Sequence, residues 1–367
     1  TSAGITGLAP AAINYQQYDL KSLTVYGGSG ANTFTVASTP YNWQVSTTLH
    51  SGAGYNLVSV QGTNGPLSVV GGGYDDVVSV GSNGSVQGIQ GAVTVTNPPS
   101  YTALTIDDSA DAAAHSATLT NAGITGLAPA TINYQQNDLA ALTVYGGAGG
   151  NTFTLAGVPY NGMVTTTLHA GAGNDTVKFG GILSGRLSLD GGAGSNTLDY
   201  SGYAGSVTVD LPLGVATGVS DSMSDFQNVI GGQGNSLIVG SGANGVLAGG
   251  AGRNLIIAGG QGTSADQARL TGGGGDNLLI GGTTSYDRNL SALNALFAEW
   301  TRTDETVAQR VAHLRYGGGF NGSHVLNSST ISEGSAQDTL TGGTGADWFL
   351  YGAADTLLNQ HAIDWLN

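Results

Sequence analysis

Apolar and small polar residues alternate in short runs through residues 1–120. Segments such as Leu23-Thr24-Val25 and Val93-Thr94-Val95 place every second side chain on one face. A period of two is typical of β-strands with one buried face. The pattern predicts strands at Ala12–Tyr15, Ser22–Tyr26, Thr33–Val36, Val45–Leu49, Leu57–Val60, Leu67–Val70, Val77–Val80, Ala92–Thr96 and Ala103–Ile106.

A long internal repeat explains why these runs return later in the chain. Residues 3–58 and residues 122–177 align at a constant offset of 119, with 40 identical positions among the 56 pairs. Self-similarity of this length is the signature of a repeat architecture. Because glycine pairs and Gly/Asn clusters separate the runs, the sequence favours a solenoid over a sandwich or a barrel. We therefore predict an all-β chain folded as a parallel β-helix or β-roll.

The spacing tightens to nine residues after Gly231. Three segments run in frame there, and three more follow later in the chain: Gly231–Val239, Gly240–Ala248, Gly249–Ile257, Gly272–Ile280, Glu333–Thr341 and Gly342–Leu350. The eighth positions of the first three are Ile238, Leu247 and Ile256. One apolar residue in each nonapeptide, after a glycine turn, predicts the interior of a narrow solenoid.

Helical periodicity interrupts the strand pattern once. Leu290, Leu293, Leu296, Phe297 and Trp300 recur at the spacing of one helix face, and Val307, Val311 and Leu314 form a second stripe. Asp287 or Ser285 is the predicted N-cap of the first helix, and Thr303 or Asp304 that of the second. A glycine run at 317–319 is the predicted end. We predict a helical hairpin laid over the solenoid.

These patterns divide the chain into five predicted regions. They are two β-solenoid repeat units at 1–120 and 121–230, a glycine-rich β-roll at 231–284, the helical hairpin insert at 285–316, and a C-terminal β or capping segment at 317–367.

Composition narrows the classes of function. The 367 residues include 63 glycines and no cysteine, and the net charge is −15. Without cysteine the chain has neither disulfides nor thiolate metal sites. An acidic surface disfavours nucleic acid as a partner but is compatible with divalent cations. No stretch is long and apolar enough for a transmembrane segment.

The nonapeptide pattern GGxGxDxUx, with U a large apolar residue, is the calcium-binding β-helix repeat. Its glycines let the turn point backbone carbonyls at the ion, and its Asp supplies a carboxylate. Gly342–Leu350 matches it fully and places Asp347 at the acidic position. Asp338, Asp175 and Asp76 occupy the same position in less complete copies. Calcium is therefore predicted at Asp338 and Asp347, with further candidates at Asp175 and Asp76.

In other copies the acidic position holds an amide or a hydroxyl group: Asn32, Asn151, Asn196, Ser236, Asn254 and Asn277. Asparagine keeps an oxygen ligand but loses the charge. The alternative for these turns is an ion-free structure in which Asn side chains bond the turn backbone or stack in ladders.

No catalytic constellation emerges from the residue pattern. His50 and His169 are repeat equivalents just before glycine turns, which indicates turn or surface residues. The acid pairs Asp75-Asp76 and Asp107-Asp108 lie in predicted strands or turns, where adjacent side chains point to opposite faces, and are expected to be solvated. We predict that the protein is not an enzyme.

The runs VTVDLPLGVATG and FQNVIGGQGNSLIVG, with the nonapeptides, resemble hemolysin-type calcium-binding (RTX) repeat proteins. The blocks ITGLAPATINYQQNDLAALTVYGGAGGNTFTL and SYTALTIDDSAD are similar to long β-strand repeat proteins of planctomycete-type bacteria, and the segment from SALNALFAEW to GADWFLY resembles the C-terminal portion of the same large proteins. This resemblance implies an extracellular or cell-surface protein with a structural, adhesive or matrix role and with calcium at the four Asp residues.

The leading hypothesis is a non-enzymatic structural or adhesive β-solenoid that self-associates. Open solenoid ends present unpaired strand edges, and head-to-tail contacts that do not close produce homopolymeric filaments. The alternative is a carbohydrate-active or carbohydrate-binding β-helix protein that contacts polysaccharide or another cell-surface molecule.

Overall fold

The computed structural model describes residues 1–41, 45–260, 267–361 and 365–366. It is mostly β, with many parallel strands in long sheets and two α-helices among the described residues. The chain forms two compact units. Unit 1 comprises residues 1–176 and 183–194, and unit 2 comprises residues 177–182 and 195–367.

Strands of two to seven residues make up unit 1. They are β1 (Gly4–Ile5), β2 (Ile13–Asn14), β3 (Ser22–Tyr26), β4 (Thr33–Val36), β5 (Ser46–His50), β6 (Leu57–Val60), β7 (Leu67–Val70), β8 (Asp76–Val80), β9 (Val93–Thr96), β10 (Thr102–Asp107), β11 (Ser116–Leu119), β12 (Gly123–Thr125), β13 (Ile132–Tyr134), β14 (Leu139–Tyr145), β15 (Thr152–Leu155), β16 (Thr165–His169), β17 (Thr176–Phe179), which ends in unit 2, and β18 (Arg186–Asp190). Short 3-10 helices cover Gln17–Asp19 and Gln136–Asp138.

From β3 to β10 the strands of unit 1 enter two sheets alternately. One sheet has the order β4-β6-β8-β10-β14-β16-β18, and the other has the order β3-β5-β7-β9-β13-β12-β11-β15. Neighbouring strands are parallel except at β11, β12 and β13, which pair antiparallel. The second copy of the repeat therefore starts with a hairpin inside a parallel sheet.

Side-chain alternation builds the core of unit 1. Val58, Val78, Leu104 and Leu142 occupy matching register positions on successive strands, and each is at most 2% exposed. Their strand neighbours, such as Ser59, are only half-buried. The predicted period of two is confirmed, and four predicted strands, β3, β4, β6 and β7, have the predicted bounds. The other five predicted strands in residues 1–120 differ from the observed ones by one residue at one or both ends, and β1 and β11 were not predicted.

Unit 2 has shorter strands and a different core. They are β19 (Thr197–Asp199), β20 (Val207–Asp210), β21 (Val215–Ala216), β22 (Met223–Ser224), β23 (Asn228–Ile230), β24 (Ser236–Val239), β25 (Val246–Ala248), β26 (Asn254–Ile257), β27 (Arg269–Thr271), β28 (Asn277–Ile280), β29 (Thr283–Thr284), β30 (Ile331–Ser332), β31 (Thr339–Thr341), β32 (Trp348–Leu350), β33 (Thr356–Leu358) and β34 (Trp365–Leu366). Parallel pairs run in the orders β19-β23-β25-β27-β31-β33 and β20-β24-β26-β28-β32-β34.

Strands β24, β26 and β28 are buried on both faces, because every residue in them is inaccessible. Strands of this kind read as continuous apolar runs rather than as alternating ones. Ile238 and Ile256, the predicted interior residues, are fully buried. Leu237, Leu255 and Leu278 on the opposite face pack in one cluster with helical residues. The prediction of a helical hairpin packed over these strands is confirmed.

The two helices are α1 (Leu290–Thr301) and α2 (Val307–Tyr316). Both N-cap predictions were wrong. Asn289 caps α1 by accepting the Ala292 N–H, and Thr306 caps α2 in a capping box with Gln309. Asp287 instead accepts hydrogen bonds from the N–H and hydroxyl of Thr284. Gly317 ends α2 at φ 84°, a left-handed conformation that favours glycine.

Asp276 joins the hairpin to the nonapeptide turns. Its Oδ2 accepts a 2.5 Å hydrogen bond from Arg310 and lies 3.3 Å from Nε of Arg253. The Arg310 guanidinium is buried 4.8 Å from the ring centre of Trp300, and Trp300 Nε1 donates to the Asp276 carbonyl. The described part of the chain holds no helix with the length and apolarity needed to cross a bilayer.

Asp210, at the end of β20, is a buried carboxylate with a hydrogen bond to only one of its two oxygens among the described residues. Its Oδ1 accepts the Leu213 N–H, whereas its Oδ2 is buried and receives no hydrogen bond from any residue that the structure describes. Burial raises the pKa of Asp210 to about 6, against the lowering effect of the Leu213 N–H. A group whose pKa is higher in the folded state stabilises the fold at low pH and loses that contribution as pH rises through the folded pKa.

We therefore expect the free energy of unfolding to fall as pH rises from 4 to 8. At pH 8, D210N is expected to exceed the natural chain in stability by roughly 1–2 kcal/mol, because the amide removes the buried charge. At pH 4 the two proteins should match. Urea unfolding at both pH values measures the difference, with the exposed-site variant D19N as control. Equal stabilities at pH 8 would contradict the assignment.

Candidate functional site

Side chains at the acidic position of the turns form ladders at the starts of parallel strands. In the first ladder, the backbone N–H and the amide of Asn32 donate to Oδ1 of Asn56, both at 3.0 Å. Asn56 repeats this arrangement on Oδ1 of Asp76, at 3.1 and 2.9 Å. The Ser51 hydroxyl donates to the other oxygen of Asp76 at 2.6 Å. Asn56 and Asp76 are at most 2% exposed.

The same amides also hold their own turns together. Nδ2 of Asn56 donates to the carbonyls of Gly52 and Gly54. Gly52 has φ 95°, and a Cβ there would lie 2.1 Å from the Gly28 carbonyl of the neighbouring turn. Turns this close leave no room for a side chain at Gly52, and the Asn56 amide supplies partners for the half-buried carbonyls of its own turn.

The second ladder lies at the equivalent position of the second repeat. The backbone N–H of His115 donates to Oδ1 of Asn151 at 2.9 Å, and the Asn151 N–H donates to Oδ1 of Asp175 at 2.5 Å. Asp175 is fully buried. Burial raises the pKa of Asp175 to about 6, and its hydrogen bonds from Asn151 oppose that rise.

The third ladder belongs to the nonapeptides of unit 2. Ser236 N–H donates to Oδ1 of Asn254, and the Asn254 amide donates to Oδ1 of Asn277. Asn277 donates its N–H and its amide to Oδ1 of Asp347, at 2.9 and 2.8 Å. Oδ2 of Asp347 accepts the Gly343 N–H at 2.6 Å. The expectation that asparagines bond turn backbone and stack in ladders is confirmed for these turns.

A fourth ladder contains two successive carboxylates. Ala268 N–H donates to Oδ1 of Asp338 at 2.6 Å, and Asp338 N–H donates to Oδ1 of Asp355 at 2.9 Å. Glu333 lies close enough for both charges to act on it. Burial, then the charges of Asp355 and Asp338, raise the pKa of Glu333 to about 7. Burial also raises the pKa of Asp355.

The structure thus places the four predicted calcium ligands in four separate ladders. The ladder of Asp338 also contains Asp355, with Glu333 nearby. Asp76, Asp175 and Asp347 face N–H or O–H donors. Such donors favour an ionised carboxylate without a cation. Calcium binding at the four residues stays a prediction.

The prediction of solvated acid pairs was wrong for one member of each pair. Asp75 is exposed, but Asp76 is buried in the first ladder. Asp107 is half-buried, and Asp108 is completely buried. The alternation of side chains predicted by the strand pattern is itself the reason, since it turns one acid of each pair inward.

The repeated histidines are half-buried and stack on tyrosines. The His50 and Tyr26 rings are 4.6 Å apart at an angle of 3°, and the His169 and Tyr145 rings are 4.7 Å apart at 5°. Nδ1 of His169 also lies 2.9 Å from Oδ2 of Asp190. This pairing across adjacent parallel strands is a surface contact, as the sequence indicated.

Two clusters that combine carboxylates with a histidine were missed by sequence reasoning. One contains Asp108, Asp111 and His115, and the other contains Glu299, Glu305 and His313. In the second, Arg302 lies 3.3 Å from Glu299 and 3.0 Å from Glu305. The spacing of neither cluster matches a known metal motif, so only the folded chain reveals them.

Comparison of the chain with protein-family models and with curated proteins finds no match.

The ladder makes a testable contribution to stability. We expect N56A to lower the free energy of unfolding by roughly 2–4 kcal/mol, because the buried Asp76 carboxylate and the half-buried groups of Asn32, Gly52 and Gly54 lose partners. The exposed Asn14 provides the control, and N14A should change stability by less than about 0.5 kcal/mol. Urea unfolding in chelator gives both values without any contribution from calcium. Equal stability of N56A and the natural chain would exclude the ladder as a stabilising element.

Proposed function

We propose that this chain is a non-enzymatic, extracellular structural module that folds as a β-solenoid and assembles end to end. Parallel strands that alternate between two sheets, with ladders of stacked turns, support the solenoid. Calcium adds stability near Asp338. The extracellular setting and the adhesive or matrix role follow from the resemblance to RTX-type and β-strand repeat proteins.

The observation that carries end-to-end assembly is a difference between two nearly identical segments of unit 1. In the second copy, β13 pairs with β9, which lies between the two copies, with Ile132 opposite Val93. Strand β14 pairs with β10, and β15 pairs with β11. Ile132 and Leu127 are at most 1% exposed there. The start of the second copy is thus covered by strands that precede it.

The first copy presents the same sequence uncovered. Ile13 and Leu8, the equivalents of Ile132 and Leu127, are 44% and 47% exposed. Strands β1 and β2 form a separate two-stranded sheet, and β3 and β4 are the terminal strands of their sheets within the described residues. A cavity of about 410 Å³ opens there, lined by Leu23, Phe34 and other core-type residues.

The second copy also indicates what covers such an edge. Residues 93–119 supply three strands, β9, β10 and β11, that pair with it. A strand edge of the same kind from another copy or another repeat would complete the sheets and bury the apolar cavity. Because such a contact joins unlike ends, each addition leaves a new end, and the product is a filament.

Assembly predicts a specific effect of charge at the uncovered edge. The mean mass of the purified chain should rise with concentration, and I13K should weaken association at least tenfold, because a lysine would be buried without a partner. Val246 offers a matched control at 45% exposure on β25, which is paired on both sides. Sedimentation velocity and electron microscopy measure the outcome. Monodisperse chains at every concentration, with and without calcium, would refute assembly.

Calcium near Asp338 is supported by the fourth ladder. The charges of Asp355 and Asp338 act on Glu333 in a partly buried site. Carboxylate oxygens and the carbonyls of glycine turns are the ligands that calcium prefers. A cation would offset the burial, and the repulsion from Asp355 and Asp338, that raise the pKa of Glu333.

We expect a higher melting temperature in excess calcium than in chelator, because the ion binds the native state preferentially. The difference should fall by more than half in D338N and in E333Q and should persist in D19N. Scanning calorimetry of each variant in both buffers supplies the measurement. The same comparison of melting temperatures in D347N tests the second predicted ligand, Asp347. An identical melting temperature in calcium and chelator would show that the turns are stable without the ion.

A further inference from the structure

The loop between β10 and β11 brings three potential metal ligands together. Nε2 of His115 lies 3.1 Å from Oδ2 of Asp111 and 3.7 Å from Oδ2 of Asp108. The Asp108 side chain is fully buried, and those of Asp111 and His115 are 15% and 18% exposed. The cluster therefore lies just beneath the surface, where a small ion can reach it.

Backbone hydrogen bonds fix this loop independently of any ion. Asp111 N–H donates to the Asp108 carbonyl at 3.0 Å, which closes a turn. Ala110 N–H donates to the Gly84 carbonyl at 2.7 Å, and His115 N–H donates to Asn151 in the second ladder. The three side chains are held in position by the surrounding fold, so binding requires little reorganisation.

One carboxylate oxygen in the cluster has no compensating hydrogen bond. Oδ1 of Asp108 accepts the Val86 N–H at 3.0 Å. Oδ2 is buried without a hydrogen bond of regular geometry in the described part of the chain, although the Gln87 side chain lies near enough to favour the ionised form of Asp108, and Oδ2 is directed at His115. A buried carboxylate oxygen left this way is costly.

Neither protonation state of Nε2 of His115 gives every polar atom of the cluster a favourable partner. Nε2 lies 3.3 Å from Nε2 of Gln87, whose amide donates to the Leu127 carbonyl. If Nε2 of His115 carries a proton, it donates to Asp111 but faces the N–H of the Gln87 amide. If it carries none, its lone pair faces two carboxylate oxygens. A cation shared by the imidazole and both carboxylates satisfies all three groups at once.

We propose that Asp108, Asp111 and His115 bind a divalent transition-metal ion of the zinc class. Imidazole and carboxylate ligands suit zinc, whereas calcium requires six to eight oxygens. Ligand atoms about 2.1 Å from a shared tetrahedral ion lie roughly 3.4 Å apart. The separations of 3.1 and 3.7 Å from His115 match that value. The ion would fasten the loop that carries the chain from β10 to β11, next to the start of the second repeat.

The cluster of Glu299, Glu305 and His313 has the same composition but lies beside an arginine. Arg302 lies within 3.3 Å of both Glu299 and Glu305, so a guanidinium already supplies the positive charge. Glu299 also accepts the Phe320 N–H at 2.7 Å. His313 is therefore a matched control for His115, as is His169, which faces the single carboxylate of Asp190.

Titration calorimetry of the full chain, tag-free and treated with chelator, tests the proposal with zinc chloride as the probe. We expect one ion per chain and a rise in melting temperature that excess calcium does not mimic. H115Q and D108N should weaken binding by about 100-fold or more, since loss of even an outer-sphere partner costs 10- to 100-fold. H313Q and H169Q should bind zinc as the natural chain does.

Two measurements keep the proposal falsifiable. Circular dichroism establishes that D108N is folded, and H115Q decides the question if it is not. Cobalt in place of zinc gives visible absorption bands whose loss in H115Q places the ion on that imidazole. Absence of zinc binding, binding unchanged in H115Q and D108N, or binding lost only in H313Q would each overturn the assignment.

Discussion

The hydrogen bonding of closely stacked glycine turns is the constraint on which this structure depends. Turns stacked as closely as those at Gly28 and Gly52 leave no room for a side chain at Gly52, where a Cβ would lie 2.1 Å from the Gly28 carbonyl. The polar groups that this stacking removes from solvent must be paired inside the protein. A single carboxamide per turn does this, because Asn56 bonds two carbonyls of its own turn and the carboxylate of the next strand. Apolar columns add burial energy, but they could slide along one another without the ladders to fix their register.

Because each strand layer depends on its neighbours, the same sequence has different exposure where a preceding layer packs on it and where the described residues supply none. Ile13 and Ile132 lie in nearly identical segments, yet one is 44% exposed and the other is fully buried. The difference is caused by β9, β10 and β11, which precede the second copy. An uncovered edge of this kind is a template for strand addition. The second copy of the repeat shows how such an edge is covered by neighbouring strands.

Local patterns predicted local structure well. Alternation gave nine strands of residues 1–120 to within one residue at their ends but missed β1 and β11, and helical spacing gave the positions of α1 and α2. Errors arose where several residues compete for one role. Thr306, rather than Thr303 or Asp304, is the N-cap of α2 because Gln309 completes its capping box. The clusters around Asp108 and Asp276 could not be predicted, for different reasons. Asp111 and His115 are close to Asp108 in sequence, but they lie in an irregular loop whose conformation no periodicity indicates. The partners of Asp276, Arg253 and Arg310, are distant in sequence and meet it only after folding.

The choice between Asn and Asp in the ladders follows from what each side chain can donate. Asparagine both accepts and donates, so it passes the ladder on, whereas an ionised aspartate only accepts. In the first three ladders the last residue is the acid: Asp76, Asp175 or Asp347. One terminal charge is compensated by the N–H groups that point at it, but consecutive charges would repel. Asp338 and Asp355 break this rule, with Glu333 beside them. Replacement of Asp by Asn in the other turns thus removes the repulsion between consecutive carboxylates, whereas the fourth ladder keeps two successive carboxylates with Glu333 beside them.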